Sequence, residues 1–283
     1  MKKILIVDDD RTTAYVLQSL LKGAGYSTRV AMDGVEGLKL LKAEPVDLLL
    51  LDVWMPKMNG LEVLAKLRSR RQKPRVVVMT SDDTPETLLR AVREQAFKYV
   101  QKPVESDALL STVRDALETP EVPPIEVISA RPEWLELIVP CTREAAERIQ
   151  PVMARLDATL TPDVREATAY AFRELLLNAI EWGGRLDPRR TVRIACLRSS
   201  RMLMYRIADP GPGFNIDQLP HAAIGQSPDE PIAHMQVREE KGLRPGGFGL
   251  LTVRAKVDEL IYNEKRNEVL FVKYLDGTSG NQL

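Results

Sequence analysis

Three aspartates stand just past apolar runs. Asp8 and Asp9 follow Ile4-Leu5-Ile6-Val7, and Asp52 follows Leu48-Leu49-Leu50-Leu51. Thr80 closes a similar run at 75–79, and Lys102 follows Tyr99-Val100-Gln101. Carboxylates gathered in one place repel each other unless a cation bridges them. Hard oxygen ligands with access to water suit Mg²⁺. A hydroxyl and an ammonium beside them suit an added phosphoryl group, because one donates a hydrogen bond and the other pairs with its charge. The five residues together predict a carboxylate that accepts phosphate. Capping of the helices that follow would account for Asp10. It would not account for Lys102-Pro103 or for the apolar run leading into Asp52.

A second set lies in the later part of the chain. Glu174 and Asn178 are one helical turn apart and share a face with Ala171 and Glu181. Asp209-Pro210-Gly211-Pro212-Gly213-Phe214 places a carboxylate among glycines, where backbone can approach a ligand closely. Gly246-Gly247-Phe248-Gly249 opens a helical pattern, and such a glycine-rich N-terminus suits an anion. Taken singly, an exposed helix face or a plain turn explains each of these. The ordered set of Glu-x-x-x-Asn, Asp-x-Gly-x-Gly-Phe and Gly-Gly-x-Gly predicts a nucleotide pocket.

The elements that must position these residues fall into two patterns. Residues 2–118 alternate short apolar runs (3–7, 27–30, 48–51, 75–79 and 99–100) with helical segments, the last at 106–117. Runs that are apolar on both faces predict strands covered on both sides. Five such units predict an α/β, doubly wound, five-stranded parallel sheet. Right-handed crossovers then bring all strand C-termini, and with them the five chemical residues, to one edge. Residues 120–133 hold Pro120, Pro123, Pro124 and Pro132 and read as a semi-rigid linker. From 134 to 276 the pattern is mixed: a strand at 135–139 and helices at 143–156 and 162–182. A hairpin follows at 192–197 and 202–208, then a helix at 248–257 and strands at 259–263 and 269–274. This predicts a second domain, an α/β sandwich with helices on one face of a sheet. Residues 277–283 read as a flexible tail.

Composition narrows the function. The 283 residues are 44% hydrophobic and 28% charged, an ordinary globular balance. Lysine plus arginine and aspartate plus glutamate each total 40, and neither side of Thr119 departs from neutrality by more than two charges. No nucleic-acid partner is expected from such a balance. The basic stretch from Arg68 to Lys73 reads as the solvated end of a helix. Cys141 and Cys196 do not make a disulfide framework. Only two histidines, His221 and His234, are present, so a multi-histidine metal site is not expected. No stretch predicts a membrane span, and Asp8-Asp9-Asp10 cut the N-terminal apolar run too early for a signal peptide. A cytoplasmic protein without a membrane partner is expected. A homodimer is compatible with the sequence, which leaves the oligomeric state open.

The first 118 residues resemble response-regulator receiver domains, whose fold is flavodoxin-like (CheY-like). The matching motifs are Ile6-Val7-Asp8-Asp9-Asp10, Asp52-Val53-Trp54-Met55-Pro56-Lys57-Met58-Asn59-Gly60, Met79-Thr80-Ser81 and Lys102-Pro103. The resemblance implies that Asp52 is phosphorylated by a histidine kinase or phosphotransfer protein. It implies Mg²⁺ on Asp9 and Asp52, helped by Asp8 through water and by the Trp54 carbonyl. It makes Thr80 and Lys102 the sensors of the phosphoryl group, Tyr99 the aromatic switch, and Lys102-Pro103 a cis peptide. Residues 134–275 resemble the ATP-binding superfamily of histidine kinases, gyrase and Hsp90. There Asn178 would hold Mg²⁺, Asp209 the adenine amino group, and Gly211 and Gly213 the base and sugar. Gly246, Gly247 and Gly249 would hold the phosphates, and 215–245 would be the ATP lid.

A sensor kinase needs a phosphoacceptor histidine ahead of that domain, and none is present. Glu-Leu-Leu-Leu-Asn-Ala-Ile-Glu-Trp-Gly and Gly-Leu-Leu-Thr-Val-Arg-Ala-Lys-Val-Asp-Glu-Leu resemble the anti-sigma-factor serine/threonine kinases instead. The resemblance implies Glu174 as catalytic base, and a sigma factor or anti-sigma antagonist as partner. Trp182 stands where that family often has histidine or a small residue. The implied function is a phosphorylation-controlled protein kinase. A non-catalytic nucleotide-binding module that sequesters its partner is the alternative.

Overall fold

The computed structural model describes residues 1–68, 73–81, 84–119, 123–131, 133–214 and 249–275. The chain divides into two compact units, Met1–Glu121 and Val122–Leu283.

In the first unit, strands β1 (Lys3–Val7), β2 (Ser27–Ala31), β3 (Leu48–Asp52), β4 (Arg75–Thr80) and β5 (Lys98–Gln101) alternate with helices. These are α1 (Arg11–Gly23), α2 (Gly34–Ala43), α3 (Gly60–Arg68), α4 (Pro85–Arg93) and α5 (Ser106–Glu118). The strands form one parallel sheet in the order β2-β1-β3-β4-β5. Successive side chains of a strand point to opposite faces, and here both faces are covered. Leu5, Val7, Leu49, Leu51, Val76 and Val78 pack with Val63, Leu64 and Leu67 of α3. Ile4, Ile6, Leu48, Leu50, Val77 and Met79 pack with Leu17 and Leu21 of α1 and Leu109 and Val113 of α5. Each such side chain contributes about 1.5–3 kcal/mol on burial. A polar residue inside these runs would therefore be costly, and the chemistry sits at their ends.

The second unit is one antiparallel sheet of six strands, ordered β10-β11-β9-β8-β7-β6. Its strands are β6 (Glu126–Ala130), β7 (Trp134–Pro140), β8 (Thr191–Arg198), β9 (Met202–Ala208), β10 (Glu259–Tyr262) and β11 (Glu268–Tyr274). The expected linker at 120–133 is thus shortened by a strand. Residues 126–130 pair with β7 through a register shift between Val127 and Ser129. An edge strand tolerates flanking prolines because its outer side needs no N–H donors.

Helices α6 (Arg143–Leu156), α7 (Pro162–Asn178) and α8 (Gly249–Lys256) complete the unit. Phe172 of α7 lies 5.3 Å from the ring of Tyr205 on β9, which stacks at 4.9 Å on Phe271 of β11. Thr142 caps α6 by accepting the Ala145 N–H at 3.1 Å. The helix expected at 162–182 ends at Asn178 and continues as a π-helical turn, Ala179–Gly183. Phe248, expected to open α8, lies outside the described residues, as does the predicted tail at 277–283. Deep in this unit, Asp157 is buried at the end of α6. Its Oδ2 accepts from the Tyr205 hydroxyl at 3.0 Å and the Thr168 hydroxyl at 3.3 Å. Its Oδ1 has no hydrogen-bond partner among the described residues. Burial pushes this carboxyl up to about 6. No helix of the described residues is long and apolar enough to cross a membrane.

Candidate functional sites

The parallel sheet brings the acidic residues together at one edge. Oxygens of Asp8, Asp9 and Asp52 all lie within 4.8 Å of one another. Asp8 and Asp52 are buried and Asp9 is exposed. Asp8 is the first residue beyond β1 and Asp52 the last of β3, so each carboxylate is rooted next to a buried apolar run. Asp9, one residue beyond Asp8, reaches solvent. Asp10 does what a residue at a helix start does and accepts from the Thr12 and Thr13 N–H groups of α1.

Lys102 spans the acidic pair. Its Nζ lies 2.7 Å from Asp8 Oδ2 and 3.1 Å from Asp52 Oδ1. The Val53 N–H also donates to Asp52 Oδ1, at 2.9 Å. Burial pushes the Asp52 carboxyl above its usual range, against the pull of the Lys102 ammonium. For Lys102, burial works to lower the pKa. The hydrogen bond to Asp8 and the charges of Asp52 and Asp8 outweigh it and hold the ammonium above its ordinary value. An ammonium thus sits against two of the three carboxylates, and this donor set fits a hard divalent cation.

Thr80 is buried at the end of β4, and its carbonyl accepts the Lys102 N–H at 2.9 Å. The Lys102-Pro103 peptide is cis, as expected. Tyr99 sits on β5 opposite Val78 and packs half-buried against the α3 side of the core. Trp54 is 56% exposed, so its ring is largely in solvent. Its loop is tied down by Lys57, whose Nζ meets Asp33 Oδ2 at 2.5 Å.

In the second unit, the C-terminal end of α7 meets the end of β9. Asp209 follows β9 and is half-buried. Its Oδ1 accepts the Gly211 N–H at 2.7 Å. A Cβ on Gly183 would fall 2.1 Å from that oxygen, and one on Gly211 would fall 2.7 Å from it. The carboxylate is therefore held between two glycines, one from the π-helical turn and one from its own loop. Burial raises its pKa, and the Gly211 N–H and the Arg190 charge oppose that rise.

Gly213 has φ +85, and a Cβ there would fall 1.5 Å from the Lys265 carbonyl oxygen. No other residue fits this position. Glu174 and Asn178 are both half-buried on α7, and a Cβ on Gly249 would meet Glu174 Oε2 at 2.3 Å. The start of α8 is thus brought against the last turns of α7. Asn178 makes no capping hydrogen bond with its side chain. Glu181, expected on the face of Glu174 and Asn178, sits past the helix end and accepts from Arg143 Nε at 3.3 Å. Trp182 is 43% exposed on the π-helical turn. Gly246, Gly247, His221, His234 and the lid at 215–245 lie outside the described residues.

Two residues not expected from sequence frame this end. Arg190 donates to the Gly183 carbonyl at 3.1 Å and the Pro210 carbonyl at 3.2 Å. Asn267 donates from its side chain to the Asp209 carbonyl at 3.3 Å and the Gly211 carbonyl at 3.2 Å. Asn267 carries a readable signal, an asparagine closing a turn between two strands. Cys141 lies beneath this region: a Cβ on Gly184 would fall 2.2 Å from its sulfur, and burial pushes its thiol up to about 11.

Comparison with known proteins follows the same division. Residues 4–114 match the response regulator receiver domain family, and residues 139–273 match the histidine kinase-like ATPase domain family. The DNA-binding response regulator MtrA of Mycolicibacterium smegmatis is 32% identical over 185 residues, 65% of this chain and 79% of that protein. The transcriptional regulatory protein ZraR of Klebsiella oxytoca is 34% identical over 114 residues, 40% of this chain and 26% of that protein. Among solved structures, chemotaxis protein CheY4 of Vibrio cholerae is 29% identical with a TM-score of 0.40, covering 41% of this chain and 99% of that one. The chain belongs to the response regulators, and it joins a receiver domain to a histidine kinase-like ATPase domain.

Proposed function

We propose that this response regulator accepts a phosphoryl group at Asp52 from a histidine kinase or phosphotransfer protein, and that it thereby controls an ATP-dependent serine/threonine kinase of the anti-sigma-factor type. In the receiver, Asp52 supplies the nucleophilic carboxylate. Asp8, Asp9 and Asp52, with the Trp54 carbonyl, would hold Mg²⁺, whose charge offsets that of carboxylate and phosphoryl oxygens. Lys102 rests on Asp52 and Asp8 in the unmodified protein and pairs with the phosphoryl group once it is present. Thr80 donates to the same group, and Tyr99 follows Thr80.

In the output domain, Asp209 accepts from the adenine amino group, and Gly211 and Gly213 admit base and sugar. Asn178 would hold Mg²⁺ through its amide oxygen, and Gly246, Gly247 and Gly249 offer N–H groups to the phosphates. Glu174 takes the proton of the substrate serine or threonine hydroxyl as its oxygen bonds to the γ-phosphorus and ADP departs. The partner is a sigma factor or an anti-sigma antagonist, in the cytoplasm. The relative MtrA is described as DNA-binding. In this chain the residues after the receiver match an ATPase family and the net charge is +0, so we keep nucleic acid out of the proposed partners.

One observation carries the kinase reading over the sequestering module. Glu174 is retained, half-buried, one turn before Asn178 and against the start of α8. A sequestering module needs no base at that place. Glu174→Gln preserves shape and removes the proton acceptor. It should leave ATP affinity and partner binding intact, and slow transfer of labelled phosphate to the antagonist protein by about 10²–10⁴-fold. A wild-type protein that binds ATP and partner but transfers no phosphate would replace the kinase with the sequestering module.

A further inference from the structure

We propose that Asn267 is the positioning residue that sets the base preference of the nucleotide pocket. This rests on the nucleotide reading of the second unit and adds to it a residue outside the glycine motifs.

Both donor directions of the Asn267 amide are spent on one loop. Its Nδ2 reaches the carbonyls of Asp209 at 3.3 Å and Gly211 at 3.2 Å. The backbone carbonyl of Asn267 accepts the Asp209 N–H at 2.8 Å. Its Oδ1 accepts from Asn263 Nδ2 at 2.9 Å, and Asn263 Oδ1 in turn accepts the backbone N–H groups of Asn267 and Glu268 at 3.1 and 3.2 Å. The amide is thus locked from behind by Asn263 and grips the loop in front.

The rest of the β10–β11 hairpin acts in the same direction. Gly213 lies against the Lys265 carbonyl so closely that no side chain fits between them. Phe214 meets Tyr262 edge-on, with ring centroids 5.6 Å apart. From Asp209 to Phe214 the loop is therefore seated on the hairpin.

The consequence for the ligand follows from what the grip orients. With the Asp209 and Gly211 carbonyls both fixed by Asn267, the Gly211 N–H is aimed at Asp209 Oδ1, 2.7 Å away. One carboxylate oxygen is then committed to the loop, and the other is presented to the base in one direction. An exocyclic amino group fits a fixed acceptor. A guanine carbonyl at the same place meets it as one acceptor facing another and is rejected. If the loop were free to turn, the carboxylate could rotate away from that clash and the discrimination would fall.

Asn267→Asp tests this, because it keeps the shape and the backbone pairing. It replaces a donor with an oxygen that faces two carbonyls. Binding of Mg-ATP and Mg-GTP to the full-length chain would be measured by calorimetry, alongside thermal unfolding of the protein without nucleotide. ATP affinity should fall by about tenfold, the value of two ordinary hydrogen bonds. GTP affinity should change by less than about threefold, so that the preference collapses. Asn263→Ala, which removes only the lock behind the amide, should give a smaller shift in the same direction, and it serves if the aspartate variant fails to fold. Equal losses for ATP and GTP, an unchanged preference, or a wild-type protein that binds both bases alike would each overturn the proposal. A wild-type protein that binds neither nucleotide would instead overturn the nucleotide reading beneath it.

Discussion

Lys102 is the residue on which the balance of the acidic pocket turns. It is the counter-charge to two buried carboxylates, and its side chain is only 19% exposed. Removing one partner from a buried ion pair is far more costly than the pair's net worth, because the other charge is left unpaired. Lys102→Ala should therefore destabilise the receiver unit by about 3 kcal/mol in metal-free buffer. Added Mg²⁺ should recover part of that loss, since a divalent cation can take over the same carboxylates. Urea unfolding with and without Mg²⁺ measures both effects. Unchanged stability in the variant would mean that Asp8 and Asp52 do not depend on this ammonium.

At the scale of the elements, the helix–sheet layer of the second unit carries an unsettled carboxyl. The sign of its effect follows from its folded pKa of about 6 against an ordinary 3.8. A raised pKa means that the folded state holds its proton more tightly than the unfolded chain. The stabilisation is full below about 3.8 and is lost as pH rises through 6. A shift of about two units corresponds to about 3 kcal/mol. Tyr205, Thr168, Cys196 and Arg198 surround the group, and the Arg198 charge opposes the shift without cancelling it. Asp157→Asn should flatten the pH dependence of unfolding of the second unit between about pH 3.8 and 6, the interval between the unfolded and folded pKa of that carboxyl. Denaturant midpoints at the two pH values would show it, and equal slopes in variant and wild type would reassign the effect to other groups.

The elements also show what was legible in advance. Asp8, Asp9, Asp52, Thr80 and Lys102 could be placed together because each ends an apolar run, and parallel strands align their ends. Glu174, Asn178 and Asp209 could be grouped because helix spacing and glycine loops leave marks in local sequence. Strand β6 was hidden by the prolines around it, which read as a linker whether or not the residues between them pair. The π-helical turn was hidden because five residues of altered winding break no periodicity that a window can detect. Asn267 could be read as a turn asparagine but not as the holder of the Asp209–Gly211 loop, and Arg190 not at all, because both work through backbone carbonyls brought close only by folding.

At the scale of the whole molecule, two compact units join a receiver domain to a histidine kinase-like ATPase domain. Coupling between them needs a two-state element whose equilibrium Asp52 phosphorylation shifts. Acetyl phosphate with Mg²⁺ should change the phosphate-transfer rate of the wild-type chain several-fold. It should leave the Asp52→Asn variant at its basal rate, because an amide is a poor nucleophile and lacks the charge. A transfer rate in that variant that responds as in wild type would uncouple the output from this aspartate.

The packing of Gly184 over Cys141 makes this thiol a reporter on the turn above it. The thiol is shut away beneath the turn that leads from the end of α7 to β8, and its pKa of about 11 leaves almost no thiolate at neutral pH. Alkylation of Cys141 should therefore be far slower in the folded protein than in the unfolded chain, because it requires local opening of that turn.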